Sequence, residues 1–169
     1  MSELQSSLGA LTMLLWFVGT SVLVVWSVFR DPRFDYRFLI AGVLLPDVID
    51  GIWGGARGFH SVTMSVAVLF VVMLTTIGRR PWRKRFLAVP IGMFVHLIVD
   101  GAFDDTKVFW WPVTGLSFSD SQLPVVERGM VNVLLEFAGL ALCLYAIRRF
   151  GLRDPQRRRT FLREGWLTA

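Results

Sequence analysis

The sequence contains little charge and almost no cysteine. Only 18% of its 169 residues are charged, whereas 54% are hydrophobic. A soluble domain has about a quarter charged residues, so a water-soluble globule is not expected. The single cysteine, Cys143, excludes an internal disulfide and a zinc site built from several cysteines. The length is that of one domain, and we expect residues 1–169 to form one helical unit.

Five long apolar stretches each predict a membrane-spanning helix. A helix needs about 20 residues to cross the hydrocarbon layer of a bilayer. The second stretch carries Pro46 and two aspartates near its end, which is typical of a helix that lines a cavity enclosed by protein. The stretches are 10–29, 38–53, 62–77, 86–103 and 130–147. The sequence therefore predicts an all-α polytopic membrane protein.

The basic residues are distributed unevenly over this predicted topology. Fifteen of the 18 lie in residues 30–37, 78–85 and 148–169, which alternate with segments that hold the other three. Cytoplasmic segments carry the excess of Lys and Arg, so we expect the N-terminus outside and residues 148–169 as a basic cytoplasmic tail. Placement in the inner membrane, with membrane lipids as partners, then explains the pI near 10.3. Nucleic acid is not an expected partner, because the basic residues follow the topology rather than one groove.

Five ionisable side chains at the predicted extracytoplasmic side form a second pattern. Asp47 and Asp50 lie three residues apart, His96 and Asp100 lie four apart, and His60 precedes the third stretch. Residues at these spacings share one helix face, and ionisable groups inside a membrane are costly. Imidazole and carboxylate together favour zinc, with manganese or iron as alternatives. We therefore predict a divalent-metal site with Asp47, Asp50, His60, His96 and Asp100 as ligands.

Two further residues are candidates for chemistry beside the metal. Arg57 is the only cation in the connection that holds His60, and a guanidinium can bind phosphate oxygens bidentately; the alternative is an anchor for lipid head groups. Glu136 could orient a metal-bound histidine, serve as a general acid or hold two helices together. For Asp50, a role as ligand and a role as general base both stay open.

These motifs resemble the YdjM-like family of membrane-bound metal-dependent hydrolases, which is distantly related to the zinc-dependent phospholipase C and single-strand nuclease group. The Leu-Pro-Asp-x-x-Asp segment of that family is matched by residues 45–50, and its Arg-Gly…His-Ser segment is echoed by residues 57–61. Its Gly-x-x-x-His-x-x-x-Asp helix and following Trp-Pro pair are matched by Gly92, His96, Asp100 and Trp111-Pro112. The resemblance covers residues 39–112. Many relatives carry a histidine in the first stretch, which this chain lacks; Asp104 and Asp105 are candidates to replace it.

The resemblance implies hydrolysis of a phosphoester. A site at the outer membrane surface favours a lipid or lipid-linked substrate, attacked by hydroxide that the metal makes available. The alternative is an accessory or structural subunit with a degenerate metal site, which acts with a membrane-protein partner or as a homo-oligomer. A proton or ion carrier ranks last, because the inner halves of the stretches contain no acidic residue.

Overall fold

The computed structural model describes residues 13–52, 58–116 and 130–168. Over these ranges the chain forms eight α-helices and two 3₁₀ turns, without a strand, so the predicted all-α class is confirmed. The α-helices are α1 (Leu14–Phe29), α2 (Tyr36–Ile52), α3 (Val62–Thr75), α4 (Arg80–Phe86), α5 (Ala88–Val99), α6 (Thr106–Phe109), α7 (Met130–Arg149) and α8 (Pro155–Glu164). The 3₁₀ turns are Gly58–His60 and Ala102–Asp104.

Helices α2 and α5 pack closely because each offers a glycine to the other. A Cβ atom added to Gly42 would lie 2.8 Å from the Val89 Cα, and one added to Gly92 would lie 2.8 Å from the Val43 nitrogen. Small residues of this kind let two helix backbones approach. The two helices run in the same direction, since Gly42 lies against Val89 and, further along both helices, Asp47 lies near His96. Their polar ends therefore meet.

Helices α1 and α7 form a second close pair. Gly139 of α7 lies against the backbone of Trp16, and a Cβ atom on Gly19 would lie 2.9 Å from the Gly139 oxygen. From α1, the ring of Phe17 reaches across to α5 and stands 4.5 Å from the ring of His96, centroid to centroid. The second pair is thereby joined to the first at the end that carries the predicted site.

The stretch 86–103 does not form one continuous helix. Helix α4 ends at Phe86 and α5 begins at Ala88, because Pro90 has no N–H to donate to the Phe86 carbonyl, four residues earlier. Hydrogen bonds still cross the break, from Leu87 N to Arg83 O at 3.0 Å and from Ile91 N to Leu87 O at 3.3 Å. Helix α5 then ends at Val99, before Gly101 in the left-handed conformation (φ 68°), a common helix terminator.

One part of the described chain, Val131–Arg149 in α7, is long and apolar enough to cross a membrane. Helices α1 and α3 are apolar but shorter. The 12 residues of α5 extend about 18 Å, against the roughly 30 Å of a hydrocarbon core. The prediction of five membrane-spanning helices therefore stays a prediction.

The residues after α7 pack against the start of α2. Helix α8 begins at Pro155, where the Asp154 side chain accepts a hydrogen bond from Gln156 N at 3.0 Å. After it, the Gly165 carbonyl accepts from Tyr36 N at 3.0 Å, and Leu167 is 2% exposed. Gly165 and Leu167 thus hold the end of the predicted tail 148–169 against the body of the protein. Its attachment point lies at the opposite end of α2 from Asp47 and Asp50.

Candidate metal centre

Two polar side chains of the site come from the last turns of α2. Asp47 and Asp50 are both buried and lie three residues apart, so they share one face of the helix. Pro46 lies inside α2 and cannot donate to the Gly42 carbonyl. The helix nevertheless continues through this residue to Ile52.

The third side chain, His60, is set in place by the start of α3. It ends the 3₁₀ turn Gly58–His60 and directly precedes Ser61, the N-cap of α3. The Ser61 hydroxyl donates to the Gly58 carbonyl at 2.6 Å and accepts from Met64 N at 3.1 Å. Serine is a favoured N-cap because its oxygen satisfies a free N–H of the first turn. The cap and the turn together hold His60 at the mouth of α3.

Asp47 lies close to both histidines of the site. Its Oδ1 atom lies 3.3 Å from Nε2 of His60 and 3.5 Å from Nε2 of His96. One potential ligand atom from each of the three residues lies within 4.8 Å of the others. The side chains are almost fully buried, at 5% exposure for Asp47, 1% for His60 and 0% for His96. The fold thus brings three of the five predicted ligands to one point.

Asp50 holds His60 from the opposite side of the ring. Its Oδ2 atom lies 2.8 Å from Nδ1 of His60 and accepts from the His60 backbone N–H at 3.1 Å. A second backbone N–H, that of Phe59, donates to Oδ1 at 3.4 Å. When Nδ1–H donates to Asp50, Nε2 is the nitrogen that faces Asp47. A carboxylate that orients a metal-binding histidine in this way is a common feature of metal sites.

His96 is buried in mainly apolar surroundings. Its ring packs against the ring of Phe17, at 4.5 Å, and the ring of His60, at 5.3 Å between centroids. Within the described residues neither ring nitrogen makes a hydrogen bond of standard geometry, although the backbone of Val43 lies close enough to interact with the ring. An unsatisfied buried polar group costs about 1–3 kcal/mol. A cation bound to Nε2 would satisfy this nitrogen and shield it from the neighbouring His60 ring.

The charge of His60 depends on its two carboxylates. Burial lowers the pKa of His60, but the hydrogen bonds with Asp47 and Asp50 outweigh burial and raise the pKa to about 9. The two aspartates thus favour the protonated ring, with one N–H directed toward each carboxylate. A divalent cation would replace only the Nε2 proton and leave the bond from Nδ1–H to Asp50 in place.

The structure places the other predicted ligands outside this group. Among the described residues, Asp50 and Asp100 do not join the cluster of Asp47, His60 and His96. Asp100 is fully buried directly after α5, and its N–H donates to the His96 carbonyl at 2.8 Å. The roles of Asp50 and Asp100 as direct ligands stay predictions.

Of the predicted catalytic residues other than Asp50, Glu136 lies in the described part of the chain and is not in the cluster. Arg57 lies outside the described residues. Glu136 lies at the start of α1, where its carboxylate accepts from Leu15 N at 3.1 Å and from Trp16 N at 3.3 Å. A carboxylate at a helix N-terminus is favourable because it meets free N–H groups. The contacts of Glu136 are thus those of a link between α7 and α1, one of the three roles left open by the sequence.

The two candidate replacements for the missing histidine lie beyond α5. Asp104 is exposed in the second 3₁₀ turn. Asp105 caps α6, since its carboxylate accepts from Lys107 N at 3.0 Å and from Val108 N at 3.3 Å. Neither belongs to the buried cluster of the described residues.

Two aromatic residues contribute to the site without having been predicted to. Phe17 packs against His96, and the Trp111 ring lies 3.6 Å from the Cβ position of Gly58, in the turn that carries His60. Phe17 is one apolar residue in a long apolar stretch, so its role has no sequence signal. Trp111 belongs to the Trp-Pro pair noted in the sequence. The pair by itself does not indicate that the Trp111 ring contacts the turn that carries His60.

The donor set suits a divalent cation with room for a further ligand. Two imidazole nitrogens and one carboxylate oxygen are typical of catalytic sites, in which three protein ligands leave a position for water or substrate. The same set also occurs with iron, so the buried group could hold a divalent metal whose identity the donor set leaves open. No family model, curated protein or solved structure matches this chain.

Proposed function

We propose that the protein is an integral-membrane, metal-dependent hydrolase that cleaves a phosphoester of a lipid or lipid-linked substrate at the extracytoplasmic face. The observation that carries the proposal is the buried group of Asp47, His60 and His96, whose potential ligand atoms lie within 4.8 Å of one another. Zinc is the proposed metal, with manganese or iron as alternatives. A divalent cation lowers the pKa of water, so that hydroxide is available near neutral pH.

The protein side chains around the group have distinct proposed roles. Asp50 orients the His60 ring through its 2.8 Å contact with Nδ1 and keeps Nε2 directed at the site. Phe17 packs on His96 and excludes water from one side of the ring. Arg57, which precedes the His60 turn, is the proposed phosphate-binding residue. The resemblance of the aspartate and histidine motifs to the YdjM-like hydrolases supports the same reaction class.

Exposed apolar side chains close in sequence to the site favour an amphiphilic substrate. Large apolar side chains close in sequence to the site residues are exposed: Ile52 at 78%, Phe103 at 54% and Val113 at 82%. Ile52 follows Asp50 by two residues, and Phe103 follows Asp100 by three. A lipid could lay its acyl chains against such a surface while its phosphate enters the polar group. A soluble sugar phosphate would gain nothing from these side chains.

The test uses the full chain, purified in a nonionic detergent and depleted of metal with a chelator. Zinc, manganese or iron is then added back, and phosphate release from phosphatidic acid is measured beside the bound metal. We expect turnover only with metal, and loss of both metal and turnover in His96→Ala. The matched control is Lys107→Gln, an exposed residue outside the cluster, which should leave both unchanged. Protein that binds none of these cations would overturn the proposal.

A second candidate is an accessory subunit with a degenerate metal site. It is favoured by the convergence of only three of the five predicted ligands in the described residues, together with the absence of a histidine from the first stretch. This candidate predicts that His96→Ala lowers stability or releases a partner protein, while no phosphoester tested is turned over by the parent chain.

A further inference from the structure

The short helices α4 and α8 form one basic surface, which we term the basic platform. The two helices are joined by an ion pair between Arg85 and Glu164, 2.6 Å apart. Residues 30–37, 78–85 and 148–169, which contain almost all of the two helices, have 15 basic and only four acidic residues. The platform therefore carries a strong net positive charge.

Hydrogen bonds and ion pairs attach the platform to the start of α2. Arg37 donates to the carbonyls of Leu162 and Arg163, at 2.9 and 2.6 Å, near the end of α8. Its guanidinium also pairs with the buried Asp35 at 2.8 Å. On the side of α4, Lys84 pairs with Asp31 at 2.8 Å. A charged surface that is already ordered pays little conformational entropy when a ligand binds.

Exposed apolar side chains lie among the arginines of the platform. Trp82 on α4 is 52% exposed and Leu162 on α8 is 62% exposed. Trp82 follows exposed Arg79 and Arg80, and Leu162 follows exposed Arg158 and Arg159. Exposed aromatic or aliphatic residues next to Lys or Arg are typical of helices that lie in the membrane interface. A surface that contacts only water would gain nothing from the exposed side chains of Trp82 and Leu162.

A cleft at the edge of the platform combines the same two properties. It has a volume of about 300 Å³ and is lined by Thr75, Thr76, Arg79, Trp82 and Phe86. The Trp82 ring stacks on Phe86 with 5.8 Å between centroids, so one wall is aromatic. The volume is at the lower end of the range for small-ligand sites.

We propose that the basic platform binds the head groups of anionic phospholipids, with the cleft at Arg79 and Trp82 as the seat of one lipid. The arginines provide the attraction to phosphate, and each basic residue near an anionic membrane surface contributes about fivefold to affinity. Trp82 and Leu162 contact the apolar part of the lipid. A nucleic acid would meet the same charges but would leave both apolar side chains without a role.

The experiment measures the melting temperature of the full chain in a nonionic detergent as phosphatidylglycerol or phosphatidylcholine is added. Because a ligand that binds the folded state stabilises it, phosphatidylglycerol should raise the melting temperature and phosphatidylcholine should not. The quadruple variant Arg79→Gln, Arg80→Gln, Arg158→Gln, Arg159→Gln should need at least about tenfold more phosphatidylglycerol for the same shift. Trp82→Gln with Leu162→Gln should also weaken the response. Lys107→Gln, at the other end of the molecule, is the matched control.

Three outcomes would overturn the proposal. They are an equal shift with phosphatidylcholine, an unchanged response of the quadruple variant, and an equal shift with a short DNA duplex that the double apolar variant retains. The last would assign the platform to nucleic acid. A circular dichroism spectrum without lipid confirms that each variant is folded. The readout involves no hydrolysis and no metal, so failure here would leave the proposed hydrolase untouched, and the reverse also holds.

Discussion

The two ends of α2 hold buried aspartates in opposite ways. At the start of the helix, Asp35 is 1% exposed, and the guanidinium of Arg37 lies 2.8 Å from its carboxylate. At the other end, Asp47 and Asp50 are 5% and 1% exposed, and their carboxylates lie within 3.5 Å of histidine ring nitrogens. A buried carboxylate needs a compensating charge. The first end has a permanent cation within the chain, whereas the second has imidazoles that can exchange a proton for a metal.

The start of α2 therefore contributes mainly to stability, whereas its other end is suited to binding a cation. Arg37 remains charged at every accessible pH, so its pairing with Asp35 serves the fold under all conditions. The charge near Asp47 changes with protonation or with a bound cation. The basic end should therefore respond to mutation mainly in unfolding free energy, and the histidine end mainly in metal affinity.

The largest expected effect is the contrast between Asp47→Asn and Asp35→Asn. Asp47→Asn removes the charge that faces both histidines, so we expect no retained zinc and no turnover. Asp35→Asn should lower the free energy of unfolding by about 2 kcal/mol, because it weakens charged hydrogen bonds to Arg37, while zinc is retained. Elemental analysis and denaturant titration measure the two effects. The same response in both variants would remove the distinction between the two ends.

The next effect concerns Asp50 as the residue that orients His60. Asp50→Ala should weaken zinc binding by about 10–100-fold, the usual effect of removing such a partner. Asp50→Asn should recover part of the affinity, since its amide oxygen can still accept from Nδ1–H. A competition assay with a zinc indicator measures both variants. If Asp50 is a direct ligand, Asp50→Asn will be as damaging as Asp50→Ala.

A pH series tests the exchange of a proton for a metal at His60. Because the pKa of His60 in the folded protein is raised to about 9, above its ordinary value near 6.5, the protonated ring stabilises the metal-free fold. This contribution is fully present below pH 6.5 and is lost as the pH rises to 9. Zinc affinity should change in the opposite direction, rising by up to about tenfold per pH unit in this window. Metal-free melting temperatures that rise between pH 6.5 and 9 would contradict this account.

The smallest expected effect is that of Glu136→Gln. If Glu136 only links α7 to the start of α1, one amide oxygen can replace part of its contacts with Leu15 and Trp16. We then expect a loss of about 1 kcal/mol in the free energy of unfolding and unchanged turnover per bound metal. A role as general acid instead predicts a fall in turnover of about 10²–10⁴-fold, with stability preserved.

The sequence predicted the relative positions of side chains that lie on the same helix. The all-α class follows from long apolar stretches and is confirmed. The spacing of Asp47 and Asp50 placed both on one face, and the fold has them buried together beside His60. The helix expected over residues 86–103 is interrupted at Leu87, because Pro90 has no N–H for the carbonyl four residues earlier.

By itself, therefore, the sequence determined the helical class, the spacing of the acidic and histidine residues and the concentration of positive charge in three segments. Only the tertiary structure decided that Asp47 touches both histidines, that Asp50 stands behind His60, and that Glu136 meets a helix start 121 residues away. The physical reason is that local spacing orients side chains within a helix, whereas contacts between helices depend on how closely two backbones can approach. In this protein Gly42 and Gly92 permit that approach, and so they decide which polar atoms meet.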